Sequence, residues 1–342
     1  MTDISVILCT YNRCESLAKT LGSLAAMILP PAITWEVLVV DNNSNDQTAT
    51  VTDEFRGRYP VRFQYIFEPS QGKSFALNAG ILAATGRVLA FIDDDVVASP
   101  RWLQNLTANI LNGKCSGAGG KILLDPNFAP PAWLPVEGPL SLAGMLAVFD
   151  LGNESRPLDR PPFGTNMAFV RTMFEKYGLF RTDMGPAPGS EIRNEDVEFC
   201  RRLMSGGEVL QYEPEAIVYH AVPERRRTQE YFLQFWFDHG RAVIRETGER
   251  SPVIGIPHRY LSIVKAVYWS IPVSTLRWLC TRDTKTRFYR KGWVWMLAGQ
   301  VSEWSRTASG RRTGSRAISE TASRGNLTRN AQTARKVIEE PK

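Results

Sequence analysis

Two hydrophobic periods alternate along the first hundred positions. Ile4-Ser5-Val6-Ile7-Leu8 is a short apolar run of buried-strand type, ending in the polar turn Cys9-Thr10-Tyr11-Asn12-Arg13. A helical pattern follows from Glu15 through Met27 and stops at Pro30-Pro31. Trp35 to Val40 reads as a second strand closed by the polar run Asp41 to Asp46, and Asp46 is a good N-cap for a further helix. Val61 to Phe67 alternates as a third strand, Gly72 to Ala84 reads as a helix, and Arg87 to Ile92 as a fourth strand ending at Asp93-Asp94-Asp95. Pro100-Arg101-Trp102 opens another helix. Strands alternating with helices predict an α/β fold built on parallel βαβ units, with a sheet covered on both faces.

Beyond this half, residues 125–163 are proline-rich and irregular, Thr165 to Val170 reads as a strand, and 183–190 is a Gly/Pro loop suited to a lid. Glu195 to Met204 predicts a short helix and Ala216 to His220 a final strand. The expected organisation is a body over 1–250, divided into a nucleotide-binding half (1–124) and an acceptor and catalytic half (125–250). A basic, aromatic-rich helical extension follows over 251–305, then a disordered tail over 306–342.

Charge sharpens that division. Residues 1–250 hold 24 Lys and Arg against 30 Asp and Glu, whereas residues 251–342 hold 17 against 5. A basic C-terminal end calls for an anionic partner. Tyr260, Tyr268, Trp269, Trp278, Trp293, Trp295 and Trp304 stand among its basic residues, which suits an anionic bilayer surface touched through 255–305. A helical subdomain packed on the body is the other reading, and nucleic acid is not expected because no recognised binding motif is present. Five scattered cysteines give no disulfide framework or zinc pairing and suit a reducing compartment. No apolar run reaches the ~20 residues of a bilayer span, so a cytoplasmic chain, peripheral on the inner face of the membrane, is expected.

The polar clusters fall at strand C-terminal ends, the edge where open α/β sheets bind ligands. Three adjacent carboxylates, Asp93 to Asp95, repel one another, and a hard divalent cation such as Mn²⁺ or Mg²⁺ would resolve that repulsion while bridging to a diphosphate. Alternation along the chain lets Asp93 and Asp95 point alike; a solvated acidic turn is the plain alternative. Asp41 can accept a ribose hydroxyl or cap its own turn, and Lys73 can meet a phosphate or stand on the surface at a helix start. Glu195-Asp196 open a helix as general-base candidates or as dipole partners, and His220 is a metal-ligand or structural histidine. No G-x-G-x-x-G, Walker A or G-x-S-x-G sequence occurs, which argues against NAD, P-loop and hydrolase chemistry.

These residues carry a resemblance. Ser5 to Arg13, Glu36 to Asp46, Asn78-Ala79-Gly80 before Gly86-Arg87, Phe91 to Asp95, Gly164 to Met167, Asn194 to Phe199 and Val218 to His220 stand in the order of the family-2 glycosyltransferases, over roughly residues 4–240. The resemblance implies a GT-A fold: a Rossmann-like, nucleotide-binding mixed sheet flanked by helices, here with a C-terminal helical extension. It implies a metal-dependent, inverting transfer of one sugar from a nucleotide-diphosphate sugar to a hydroxyl of a saccharide or lipid-linked saccharide, in cell-surface polysaccharide or glycolipid assembly. In that frame Thr10, Tyr11, Asn12, Arg13, Asp41, Lys73, Asn78, Asp93, Asp94 and Asn166 line the donor site. Asp93, Asp95 and His220 serve the metal, Asp196 is the base with Glu195 beside it, and Arg227 rides on a loop closing over the diphosphate. The Gln-x-x-Arg-Trp motif of processive polymer synthases is missing, which favours single-sugar addition. Two rivals remain, a non-catalytic glycosyltransferase-like subunit and a sugar-1-phosphate nucleotidyltransferase; the second lacks its Gly-rich first loop.

Overall fold

In a computed structural model, residues 2–59, 62–188, 193–247 and 258–308 are described. Residues 189 and 190 of the predicted lid, and the predicted tail from 309 onward, lie outside them. The first half alternates as its pattern requires: β1 (Ile4–Thr10), α1 (Cys14–Ala25), β2 (Trp35–Asp41), α2 (Thr48–Arg58), β3 (Phe63–Phe67), α3 (Lys73–Ala83), β4 (Val88–Asp93) and, after the acidic triplet, β5 (Val96–Ala98) and α4 (Trp102–Leu111). The second half holds β6 (Gly117–Leu124), a 3₁₀ turn (Ala143–Leu146), β7 (Arg156–Pro157), β8 (Asn166–Val170), α5 (Thr172–Tyr177), α6 (Glu195–Ser205) and β9 (Leu210–His220). A 3₁₀ turn (Glu224–Arg227) then leads into α7 (Gln229–Thr247). The described part of the C-terminal extension, from residue 258, is helical: α8 (His258–Lys265), a π-helical turn (Ala266–Ser270), α9 (Ile271–Leu279) and α10 (Thr284–Ala308), while 251–257 lie outside the described residues.

One mixed sheet runs in the order β3-β2-β1-β4-β8-β6-β9-β5, with β7 on β9. The first four strands in that order are parallel, so Thr10, Asp41 and Asp93 all end at one edge. Beyond β4 the sheet reverses, because β8 runs antiparallel to both β4 and β6. The short β5 pairs Val96 with His220, which delivers the end of β9 to the acidic triplet. The apolar runs of β1, β2 and β4 are buried throughout, as expected of strands covered on both faces. Under β8 an aromatic cluster closes the core, with Phe174 and Phe199 stacked at 4.5 Å and Phe91, Phe169 and Phe180 packed around them.

Strand β6 departs from the sequence reading, which left residues 117–124 unassigned. Its sequence, GAGGKILL, carries glycines where strand propensity disfavours them. Packing demands them: a Cβ on Gly120 would lie 2.3 Å from the Ala216 carbonyl oxygen and 2.4 Å from the Asn166 amide nitrogen. β9 is also longer than the expected Ala216 to His220, and Val96 opens the short strand β5.

A second apolar cluster joins the irregular 125–163 segment to the C-terminal helices, through Leu134, Leu142, Val222, Phe232, Phe288 and Met296. Helices α7 and α10 meet through glycines. A Cβ on Gly240 would fall 2.1 Å from the Met296 carbonyl oxygen, and one on Gly299 2.0 Å from that of Phe237. Glu303 of α10 accepts from Arg241 at 3.1 Å and from Arg245 at 2.8 Å, so the same contact carries a buried charge network. Gly299→Val should therefore force the helices apart and lower stability by about 1–3 kcal/mol. Urea unfolding checks this, and an unchanged midpoint would show that the helices do not meet there.

Candidate active site

A cleft of about 1360 Å³ opens at the sheet edge where β1, β4 and β9 end. Its floor is the acidic triplet, and each acid has its own partners. Asp93 accepts from Lys73 Nζ and from Thr165 Oγ1, both at 2.7 Å. Asp94 accepts from Thr10 Oγ1 at 2.8 Å and from Arg13 Nη1 at 2.7 Å. Asp95 lies 3.1 Å from Arg13 Nη1, 3.4 Å from His220 Nε2 and 3.6 Å from Arg226 Nη1. Asp94 and Asp95 thus share the Arg13 guanidinium, while Asp93 is paired with Lys73. The chain bends between β4 and β5, and that bend breaks strand alternation.

Burial alone would raise the pKa of Asp95. The hydrogen bond and charge of His220, together with Arg226 and Arg13, outweigh it and hold Asp95 well below the usual carboxylate range. Lys73 is partly buried, yet Asp93 and Glu195 keep it firmly protonated.

The second pair of acids opens α6. Asp196 accepts from the Gly164 N–H at 2.5 Å and from its neighbour Val197 N–H at 2.7 Å, which fixes its carboxylate at the cleft wall. Glu195 is 3% exposed and lies 3.8 Å from Lys73 Nζ. Burial pushes its carboxyl up to about 7, with Lys73 opposing and Asp196 adding to the rise. Among the described residues, Glu195 Oε2, His220 Nδ1, Arg226 Nε and Trp236 Nε1 of this cleft are buried without a hydrogen-bond partner. Buried polar atoms are ordinarily paired, so orphans gathered on one cleft are where a ligand could complete the bonding.

The loops above the floor are zipped together by their own side chains. Asn12 sits in the left-handed region at φ 51°, which asparagine tolerates. There its Oδ1 accepts from Asn45 N–H and its own N–H donates to Ser44. Asp46 accepts from the first N–H of α1, on Cys14, and from Thr48 in α2, so the cap expected from the sequence serves two helices. Thr10, Tyr11 and Arg13 line the cleft beside them.

Several candidates stand elsewhere. Asp41 is buried and spent on Ser44 N–H and Tyr65 Oη, the turn-capping alternative. Asn78 pairs with the backbone of Phe180 in both directions and braces the loop before α6. Asn166 is wholly buried, accepting from Trp102 Nε1 and donating to the Lys121 and Ala216 carbonyls, so it stitches three elements in the core while its neighbour Thr165 faces Asp93. Arg227 turns away to the Val222 carbonyl and the Phe128 ring. Arg226, one residue earlier on the same 3₁₀ turn, faces Asp95 instead. The run of three arginines from 225 to 227 offered the charge, but a one-residue phase on a tight turn is not readable from sequence. The opposite wall, from Phe235, Trp236 and His239 of α7 to Tyr289 of α10, was likewise unseen.

Among the described residues no three His, Cys, Asp or Glu side chains form a group spaced to hold a metal ion. Asp95 and His220 are together, whereas Asp93 is tied to Lys73 and Thr165.

The mixed sheet, its strand-end cleft and the flanking helices define a GT-A glycosyltransferase fold. The glycosyl transferase family 2 model matches residues 5–178, and the chain belongs to that family. It is 27% identical over 255 residues to the succinoglycan biosynthesis protein ExoM of Rhizobium meliloti, covering 72% of this chain and 76% of that protein. It is also 27% identical over 248 residues to the glucosyl-dolichyl phosphate glucuronosyltransferase of Haloferax volcanii, covering 70% and 77%. Among solved structures, the mannosyltransferase PcManGT of Pyrobaculum calidifontis, in complex with GDP-Man and Mn²⁺, shares the fold at a TM-score of 0.52 and 16% identity, over 98% of this chain and 79% of that one.

Glu195 predicts a pH signature. Its folded pKa lies above its unfolded value, so the unfolded chain releases this proton first and stability falls as pH rises from about 4.5 to about 7. Glu195→Gln removes the charge and should gain on the wild type by about 2 kcal/mol between pH 5 and pH 8. Melting curves at the two pH values measure it, and a variant that loses ground at pH 8 would contradict the burial of an ionised Glu195.

Proposed function

We propose that the chain transfers a single sugar from a nucleoside-diphosphate sugar to an acceptor hydroxyl, with inversion at the anomeric carbon, in the assembly of a cell-surface polysaccharide or glycolipid. One observation carries the reading. Three elements distant in sequence, the Thr10 to Arg13 turn, the Asp93 to Asp95 bend and the Glu195-Asp196 helix start, meet with His220 on one cleft. The curated relatives, named for succinoglycan biosynthesis and for glucuronosyl transfer to a dolichyl phosphate glucoside, support the polysaccharide or glycolipid setting.

The donor's base and ribose lie against the Thr10 to Arg13 turn, with Asp94 held toward it by Thr10 and Arg13. Arg226, in place of the expected Arg227, stands with Arg13 to meet the negative diphosphate, and its Nε, which has no partner among the described residues, can donate to it. Lys73 reaches the sugar end of the site between Asp93 and Glu195. Asp196 takes the proton from the acceptor hydroxyl as that oxygen attacks C1, and the Gly164 N–H keeps its carboxylate oriented. A direct displacement needs no protein nucleophile.

The donor set fits a hard divalent ion, Mn²⁺ or Mg²⁺. Such ions are commonly held by one or two protein ligands with substrate phosphates completing the shell, which matches a two-residue site beside a phosphate pocket. Asp95 and His220 would hold the ion, with Arg13 and Arg226 giving way to it. When bound, it supplies Lewis-acid stabilisation of the charge on the departing diphosphate.

A thermal-shift panel of UDP, GDP and dTDP with and without Mn²⁺ tests the reading, because a ligand of the native state raises the melting temperature. One diphosphate should raise it in a Mn²⁺-dependent way, and Asp95→Ala should remove the rise. Asp196→Asn should keep the rise while lowering turnover by about 10²–10⁴-fold. No response to any nucleotide would sink the reading, and wild-type turnover in Asp196→Asn would remove the base assignment.

A further inference from the structure

The face of α8, the π-helical turn and α9 leaves a run of apolar side chains uncovered. Leu261, Val264, Leu276 and Leu279 are exposed, and Tyr268 and Trp269 are 78% and 68% exposed. Isolated exposed apolar residues are ordinary, but a series along three successive helical segments with two adjacent aromatic rings in its middle suits an interaction surface. The charge around it is mostly positive. Lys265 and Arg277 are exposed on these helices, and Arg282, Lys285 and Arg287 are exposed in the turn after α9 and the first turns of α10. Among the described acids there, Asp283 is exposed, whereas Glu303 is buried against Arg241 and Arg245.

We infer that this face docks on an anionic phospholipid bilayer, lying in the plane of the interface with Tyr268 and Trp269 at headgroup depth. Amphipathic rings with flanking cations suit that layer, where the negative surface potential attracts basic side chains. No described helix is long and apolar enough to cross a membrane, so the contact is lateral. The surface is mechanically joined to the cleft. Tyr289 of α10 lines the cleft and packs on Trp236 at 5.7 Å. Trp236 meets Trp293 at 6.3 Å, and Trp295 of the same helix meets Trp278 of α9 at 6.2 Å. Docking would thus hold the aromatic wall of the cleft at a fixed height above the lipid, ready for an acceptor anchored there.

The test needs no turnover, so it stands apart from the donor assignment. The full chain is sedimented with vesicles of phosphatidylcholine alone or mixed with phosphatidylglycerol, at low and high salt. It should partition onto the mixed vesicles at low salt and leave them at high salt. The double variant Tyr268→Ala, Trp269→Ala should bind about tenfold more weakly or worse, and Arg282→Gln with Lys285→Gln about fivefold more weakly per charge removed. Both variants should keep the wild-type melting temperature and nucleotide response, since neither pair lines the cleft. Wild-type protein that stays in the supernatant with the mixed vesicles would overturn the inference, as would variants that sediment like the wild type. A concentration-dependent dimer that Tyr268→Ala, Trp269→Ala converts to monomer would overturn it as well, by assigning the patch to a second copy.

Discussion

Five carboxylates gathered at one partly dry sheet edge are the constraint around which this molecule is arranged. Left unpaired they would repel and be costly to desolvate. The chain balances them with cations from three separate places: Arg13 after β1, Lys73 at the start of α3 and Arg226 after β9. Lys73 is the telling case. A cation in the first turn of a helix opposes the dipole, and here Asp93 and Glu195 override that preference. The acids of α6 agree with their dipole, so the two helix starts face each other with opposite charge across the cleft. Such a balance assembles only when β1, β4, α3, α6 and β9 are all in place, which ties the site to the whole sheet.

The fold was legible where burial and periodicity coincide. β1, β2 and β4 are continuous apolar runs because helices cover both faces, and the acids and amides that close them mark the ligand edge. β6 was illegible for the opposite reason. Gly117 and Gly120 are there for close approach to Phe169, Ala216 and Asn166, and a glycine selected for closeness carries no strand signal. The site followed the same division. The adjacent acids, Glu195, Asp196 and His220 could be picked out because ionisable groups on an apolar frame stand out, whereas Thr10 and Arg13 came from the family resemblance. Asn166 and Asn78 looked like binding groups because a polar side chain beside a motif gives no hint of which face it turns to. In the fold, hydrogen bonds to Trp102 and to the Phe180 backbone decide that question. Arg226 and Arg227 differ by a single step on a 3₁₀ turn, and no periodicity separates them.

The C-terminal helices change the picture of where the site ends. Glycine-mediated contact of α10 with α7, and the charge network on Glu303, make the extension part of the wall that carries Trp236 and Tyr289. The cleft therefore has a charged floor from the sheet and an aromatic side from α7 and α10. In the proposed reaction the cations on that floor, Arg13, Lys73 and Arg226, would meet the diphosphate, which leaves the aromatic side, built from a different part of the chain, for the acceptor.

Crystals grown with Mn²⁺ and the nucleoside diphosphate that stabilises the chain would test the central claim most directly, by anomalous scattering at the manganese edge. The account predicts one strong peak between the Asp95 carboxylate and the His220 imidazole, with Arg13 and Arg226 drawn from Asp95 onto the phosphates. A nucleotide in the cleft with Arg13 and Arg226 still on Asp95, and no anomalous peak beside them, would contradict it.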